Sequence, residues 1–179
     1  MGLIPPTSGR SSARSAASTF EQAAGYGEAT LLALPFRVVP EVLEGLDDRL
    51  RGRTLIDCTN GVDMGEFVRP MAADVARISG AHVVKAFNLC HVDVWRMEPP
   101  VFGGRPLAVP LCGDDERALA AARALAADLG CEPFYAGGLE RAGLAESAMA
   151  FLVGLWFRGL DAQAVIPPLA YAEGVPRSS

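Results

Sequence analysis

The chain has 179 residues, of which 50% are apolar and 21% charged, with a formal net charge of -5. That length suits one domain with tails, and the apolar share excludes disorder over most of the chain. No basic stripe is present, which argues against nucleic acid or an anionic membrane as partner.

Residues 1–18 are rich in Ser, Pro, Gly and Arg, hold no acid and read as a flexible N-terminal arm. Two prolines and no apolar core in residues 1–7 leave no secretory signal to expect, so a cytoplasmic chain is expected. Thr19 is placed to cap a short helix running to Ala24, with Glu21 and Gln22 in its first turn. The run from Ala29 to Leu34 is an apolar strand stopped by Pro35. Val38, Val42, Leu43 and Leu46 recur at helical spacing, with Pro40 in the first turn. A second strand, Thr54 to Asp57, is followed by Val68, Met71, Ala72, Val75 and Ile78 at helical spacing, with Gly80 as the stop.

The rhythm continues with a strand from Val83 to Phe87 and a short helix from Val92 to Met97. The strand from Leu107 to Leu111 contains Pro110, which predicts an edge or a bend there. Asp114 and Asp115 open a helix from Glu116 to Leu129, Glu132 to Ala136 is a last strand, and Leu139 to Phe157 is the longest helical pattern. Its apolar end, Ala148 to Phe157, is too short to span a bilayer and predicts burial in the core or against another subunit. The prediction is an α/β domain over 19–160, with a mainly parallel sheet of about five strands and a tail at 161–179.

Four cysteines and two histidines stand apart, without the close pairs of a zinc site, so no metal is expected and the thiols read as reduced core residues. In a parallel sheet the ligand crevice lies outside the carboxyl ends of the strands. Three such ends carry unusual residues: Leu34-Pro35-Phe36, Asp57-Cys58-Thr59-Asn60-Gly61 and Lys85-Ala86-Phe87-Asn88. Carboxamides at adjacent strand ends suit a ribose, an amide or a heterocycle edge. The same residues also fit a plain turn at Asn60-Gly61 and a helix cap at Asn88. Lys85, the only lysine in the chain, is given no role; its plain reading is a strand-end residue whose charge reaches solvent.

From Thr19 to Arg158 the chain resembles the deazaflavin-dependent NADP oxidoreductase family, which includes the NADPH:coenzyme F420 reductases. The resemblance rests on motifs in order: Glu28 to Pro35, Ile56 to Asn60, Val84-Lys85-Ala86-Phe87-Asn88, Cys112 to Asp115, and Ala136 to Leu139 with Leu144-Ala145-Glu146. It implies a Rossmann-type domain that binds NADP(H) and passes hydride to coenzyme F420 or a flavin-like acceptor. It further implies that Leu34, Pro35 and Phe36 border the sugar-phosphate portion, and that Thr59, Asn60, Ala86, Phe87 and Asn88 border the nicotinamide and its partner ring. Hydride transfer between rings needs stacking, exclusion of water and fixed distance more than an acid or base, so no catalytic side chain is assigned.

The match lacks the family's opening strand and G-x-G-x-x-G turn; Gly25-Tyr26-Gly27 precedes a strand instead of following one. Ser8 to Arg14 is basic and hydroxyl-rich, and Arg10 with Ser11 resembles the family's receptor for the 2′-phosphate of NADP. A sheet without that first strand exposes an edge, which predicts a cover from the arm, the tail or a second subunit. A homo-oligomer through the 139–157 helix is expected. Two alternatives stand beside the reductase: a non-catalytic truncated Rossmann module serving folding, oligomerisation or weak nucleotide binding, and a flavodoxin-like or receiver-like domain. Against the latter, Asp114 and Asp115 start a late helix, where no acidic pocket at the first strand would form. No G-x-S-x-G elbow is present to support a hydrolase.

Overall fold

A computed structural model describes residues 2–3, 19–63 and 66–160. Arg10, Ser11 and the tail 161–179 lie outside the described residues. In chain order the main elements are β1 (Gly2–Leu3), α1 (Phe20–Gly25), β2 (Ala29–Leu32), α2 (Val39–Gly45), β3 (Thr54–Asp57) and α3 (Ala72–Ser79). They continue with β4 (His82–Lys85), β5 (Ala108–Gly113), α4 (Glu116–Asp128), β6 (Glu132–Gly137) and α5 (Ala142–Trp156). The six strands form one sheet in the order β1-β2-β3-β4-β5-β6.

β2, β3 and β4 run parallel and in step, Leu32 beside Asp57 and Asp57 beside Lys85. β5 runs antiparallel to β4, and β6 runs parallel to β5. The α/β class and the mainly parallel five-strand sheet therefore stand as expected. The free side of β2 carries β1, antiparallel, with Gly2 opposite Leu31 and Leu3 opposite Thr30.

Both faces of the sheet carry helices over β2, β3 and β4, as their continuous apolar runs require. On one face Ile56, Val84, Val109 and Leu111 pack against Ala118, Leu119, Ala122 and Ala126 of α4. On the other face Leu32, Leu55 and Val83 pack against Leu43 of α2, Val75 of α3 and Ala24 of α1. Side chains alternate across a strand. Asp57 and Lys85 are therefore on the same face as Leu55 and Val83, the face towards α3. That parity decides where their charges go.

The helix ends follow their local chemistry. Thr19 and Gln22 form a reciprocal capping box on α1, with bonds of 3.3 and 3.2 Å. Asp115 caps α4 by accepting from Ala118 N at 2.8 Å. Gly80 ends α3 in the left-handed conformation, φ 61°.

Four local expectations change. Val68 is exposed and lies before α3, because residues 62–63 and 66–67 pair as a short hairpin and Pro70 separates it from the helix. The third parallel strand ends at Lys85, since Phe87 turns left-handed at φ 59°. The helical turn Val92–Arg96 is a 3-10 helix capped by His91, whose ring accepts from Asp93 N, so Asn88 is not its cap. The last helical segment is a 3-10 turn, Leu139–Arg141, leading into α5. Pro110 fits the strand because β4 pairs β5 only at Cys112 and Gly113, leaving β6 as the one neighbour alongside the proline.

The cap on α4 is directly testable. Asp115→Ala removes the side-chain acceptor from the first turn of α4, and a loss of about 1 kcal/mol in urea denaturation is expected.

Candidate functional site

The carboxyl ends of β2, β3 and β4 finish side by side. The ladder runs on past them, with Cys58 N donating to Leu32 O at 3.0 Å and Ala86 N to Asp57 O at 3.1 Å. The three loops that follow, 33–38, 58–61 and 86–91, thus leave from one pole of the molecule.

Asn60 and Asn88 meet there. Asn60 Nδ2 donates to the backbone oxygen of Asn88 at 2.9 Å, and Asn88 Nδ2 donates to Asn60 Oδ1 at 2.9 Å. A backbone carbonyl can only accept, so the first bond fixes which end of the Asn60 amide is nitrogen, and the second then fixes Asn88. Asn88 Oδ1 is left as an acceptor that no described hydrogen bond engages. Asn88 is 3% exposed and Asn60 is half-buried. Asn60 with Gly61 does form a tight loop: Val68 N donates to Gly61 O at 2.7 Å, and a β-carbon at Gly61 would collide with the Arg69 carbonyl.

Phe87 supplies the turn that returns Asn88 towards Asn60. A left-handed non-glycine residue costs about 1–3 kcal/mol and needs surrounding contacts to persist. Its ring packs edge-on against Trp95, centroids 5.3 Å apart.

Beneath this rim lies a cluster that the sequence reading did not contain. Lys85 is fully buried, which rules out the plain reading of a strand-end charge in solvent. Its Nζ donates to Asp57 Oδ2 at 2.8 Å and to the Thr59 carbonyl at 2.5 Å, and lies 3.0 Å from Glu146 Oε1. The reason is the shared strand parity with Asp57 and the arrival of α5 over that face. Asp57 Oδ1 also accepts from Thr59 N at 2.8 Å and Thr59 Oγ1 at 2.7 Å. Glu146 accepts from Met71 N at 2.8 Å and Ala72 N at 3.1 Å, so α5 caps the start of α3. Every Lys85 proton has an acceptor, and all four carboxylate oxygens have donors, as burial of charge demands.

The other expected site residues divide. Thr59 is buried and its hydroxyl is committed to Asp57, so it supports the loop and does not face a ligand. Ala86 is buried in the core. Leu34 and Phe36 pack partly on the α2–α3 core, Pro35 is exposed, and the Arg37 guanidinium lies over the Phe36 ring at 5.6 Å and pairs with Asp63. The 34–37 turn therefore touches the hairpin that follows Asn60.

Two signals in the sequence pointed to the missed cluster. Lys85 is the one lysine, set in an apolar strand, and Glu146 is the one charged residue of α5. No spacing rule joins them, since 61 positions separate them in the chain.

The site offers no activated thiol. Burial pushes Cys58 up to about 12, with the neighbouring Asp57 charge adding to the shift, and burial pushes Cys90 up to about 11. Both stay protonated near neutrality and are poor nucleophiles. Among the described residues no group of His, Cys, Asp and Glu is arranged to hold a metal. A cavity of about 600 Å³ lies at the opposite pole, at the amino ends of the same strands, lined by Glu28, Arg53, His82, Asp115 and Arg117 among others. None of the expected site residues borders it.

Lys85→Met tests the cluster. It leaves two buried carboxylates without their cation, and a loss of about 3–5 kcal/mol in urea denaturation is expected.

Residues 7–61 match the family described as NADP oxidoreductase, coenzyme F420-dependent. Among solved structures, hypothetical protein SMa0349 of Sinorhizobium meliloti is 25% identical, with a TM-score of 0.61 over 69% of this chain and 62% of that one. The chain thus spans less than two thirds of that protein's length. A protein of Arthrobacter sp. FB24 assigned as an F420-dependent NADP-reductase is 22% identical, with a TM-score of 0.68 over 80% of this chain and 70% of that one. An imine reductase variant from Myxococcus stipitatus, in complex with NAD+, is 21% identical, with a TM-score of 0.54 over 89% of this chain and 52% of that one. In the sequence of residues 7–61 and in its Rossmann-type fold, the chain is similar to the coenzyme F420-dependent NADP oxidoreductases.

Proposed function

We propose that the chain is an NADP(H)-dependent oxidoreductase whose nicotinamide sits on the Asn60–Asn88 rim, with coenzyme F420 or a related flavin-like ring as hydride acceptor. The observation that carries this reading is the reciprocal carboxamide pair at the carboxyl ends of adjacent parallel strands. The pair leaves Asn88 Oδ1 and the second proton of each amide for a ligand. Those are an acceptor and donors matched to a nicotinamide carboxamide, which itself has one of each kind.

The rest of the rim suits ring chemistry. Hydride transfer requires two rings held face to face at a fixed distance with water excluded. Phe87 and Trp95 give an aromatic wall beside Asn88, and Lys85 below holds the Thr59 carbonyl of the neighbouring loop. The turn Leu34-Pro35-Phe36 lies along the next strand end, where the sugar-phosphate portion would pass. Arg10 and Ser11 are proposed for the 2′-phosphate on chemistry alone. Four unpaired thiols suit a reducing cytoplasmic compartment. No described helix is long and apolar enough to cross a membrane.

Self-association is part of the same proposal. α5 faces the cluster with Glu146 but exposes Leu144, Phe151 and Trp156, with Phe157 just beyond. A groove of about 370 Å³ runs between this face and Phe67 of the hairpin. Contiguous apolar surface of this kind marks an interface, and a second copy of the chain would cover it. Sedimentation should show a dimer or larger species, and Phe151→Glu should shift it to monomer.

Cofactor binding is read from Trp95, which contacts Phe87 at the rim. NADPH should quench its fluorescence saturably below millimolar concentration. Asn88→Ala should raise the dissociation constant about tenfold, consistent with the loss of one or two buried hydrogen bonds. A folded chain that gives a flat response at millimolar NADPH would instead be the non-catalytic module.

A further inference from the structure

The buried cluster beneath the rim is not electrically balanced. It holds one ammonium, Lys85, and two carboxylates, Asp57 and Glu146, all with side chains fully inaccessible. Its remaining hydrogen-bond partners are neutral: the Thr59 hydroxyl and amide, the Thr59 carbonyl and the amides of Met71 and Ala72. No arginine joins the cluster among the described residues. The formal excess is one negative charge, held by dipoles and by the start of α3.

Evenly stabilising a protein needs no such excess, because burying an unmatched charge is costly. The position of the excess is informative. Lys85 Nζ holds the carbonyl of Thr59, whose next residue is Asn60, and Asn88 follows three positions after Lys85. The cluster therefore sits directly behind the carboxamide pair. Two states of a nicotinamide differ there in one respect that matters to a fixed charge. The ring of NADP+ carries a unit positive charge and the dihydro ring of NADPH carries none, while the rest of the molecule is shared.

We propose that the Asp57–Lys85–Glu146 cluster is an electrostatic positioning device that favours the oxidised over the reduced nicotinamide on the Asn60–Asn88 rim. This rests on the cofactor reading above. Loss of a hydride, with both bonding electrons, from the dihydro ring to the acceptor ring would leave a cation, whose charge the excess carboxylate would favour. The cluster thereby favours NADPH as donor. At an effective dielectric near 20, two unit charges on the order of 10 Å apart interact strongly enough to change a binding preference roughly tenfold. Lys85 has a second part in it: without its ammonium the Thr59 carbonyl loses its donor and the rim loses its register.

The test is a ratio, because a merely structural cluster would weaken both cofactor forms together. Dissociation constants for NADP+ and NADPH are measured by calorimetry on the full chain, on Glu146→Gln and on Asp57→Asn. Both substitutions keep side-chain size and remove one carboxylate charge. Each folded variant should raise the NADP+ to NADPH ratio of dissociation constants about five- to tenfold over the unaltered chain. An unchanged or lowered ratio in a folded variant overturns the inference and leaves the cofactor reading intact. If neither variant folds, the unaltered chain decides: NADP+ bound at least as tightly as NADPH supports the inference, and a tenfold preference for NADPH overturns it. Should the unaltered chain bind neither form, the cofactor reading fails and the inference falls with it.

Discussion

One buried ammonium organises the end of this molecule at which β2, β3 and β4 finish. Lys85 sits where β4 ends, bonds across to Asp57 where β3 ends, and holds the carbonyl of the loop residue Thr59. Glu146 reaches the same nitrogen from α5 and ties it to the first amides of α3. Two strands, one loop and two helices thus share a single polar knot. Buried ion pairs are a weak source of stability compared with apolar packing of equal volume. Their value here is geometric. A satisfied network admits one arrangement, while an apolar core in the same place would tolerate several.

The rim inherits that uniqueness. Asn60 follows a residue pinned by Lys85, and Asn88 follows a left-handed Phe87 that Trp95 holds in place. The local strain at Phe87 and the crowding at Gly61 sit on either side of the carboxamide pair. Both are compensated by the core below: the strands are short, but they are covered on both faces. Rigid support under exposed loops is the usual means of holding a ligand's ring at a fixed distance.

α5 connects the site to the molecular surface. One side of the helix buries Ala142, Glu146, Met149 and Ala150, and another exposes Phe151 and Trp156. Its pattern is apolar nearly all round, with one acid where it enters the knot. The same helix thus carries both the acid of the buried knot and the exposed aromatic side chains.

Much of the architecture was legible from the chain alone. Continuous apolar runs set the strands, Thr19 and Asp115 announced helix starts, and Gly80 a helix end, because these depend on neighbours a few residues away. The rim was legible in part: strand-end position marked Asn60 and Asn88, but their mutual hydrogen bonds were not, and a turn and a cap explained them equally well. The role of Lys85 was not legible because a strand-end charge ordinarily reaches water, and nothing local says that a helix 61 residues later will bring Glu146 to it. The sequence by itself determined which segments fold into strands and helices and which face of each is apolar, since those follow from side-chain periodicity. Only the tertiary structure decided that Asp57, Lys85 and Glu146 share one dry space, because a buried charge is tolerable only where distant parts of the chain supply every partner at once.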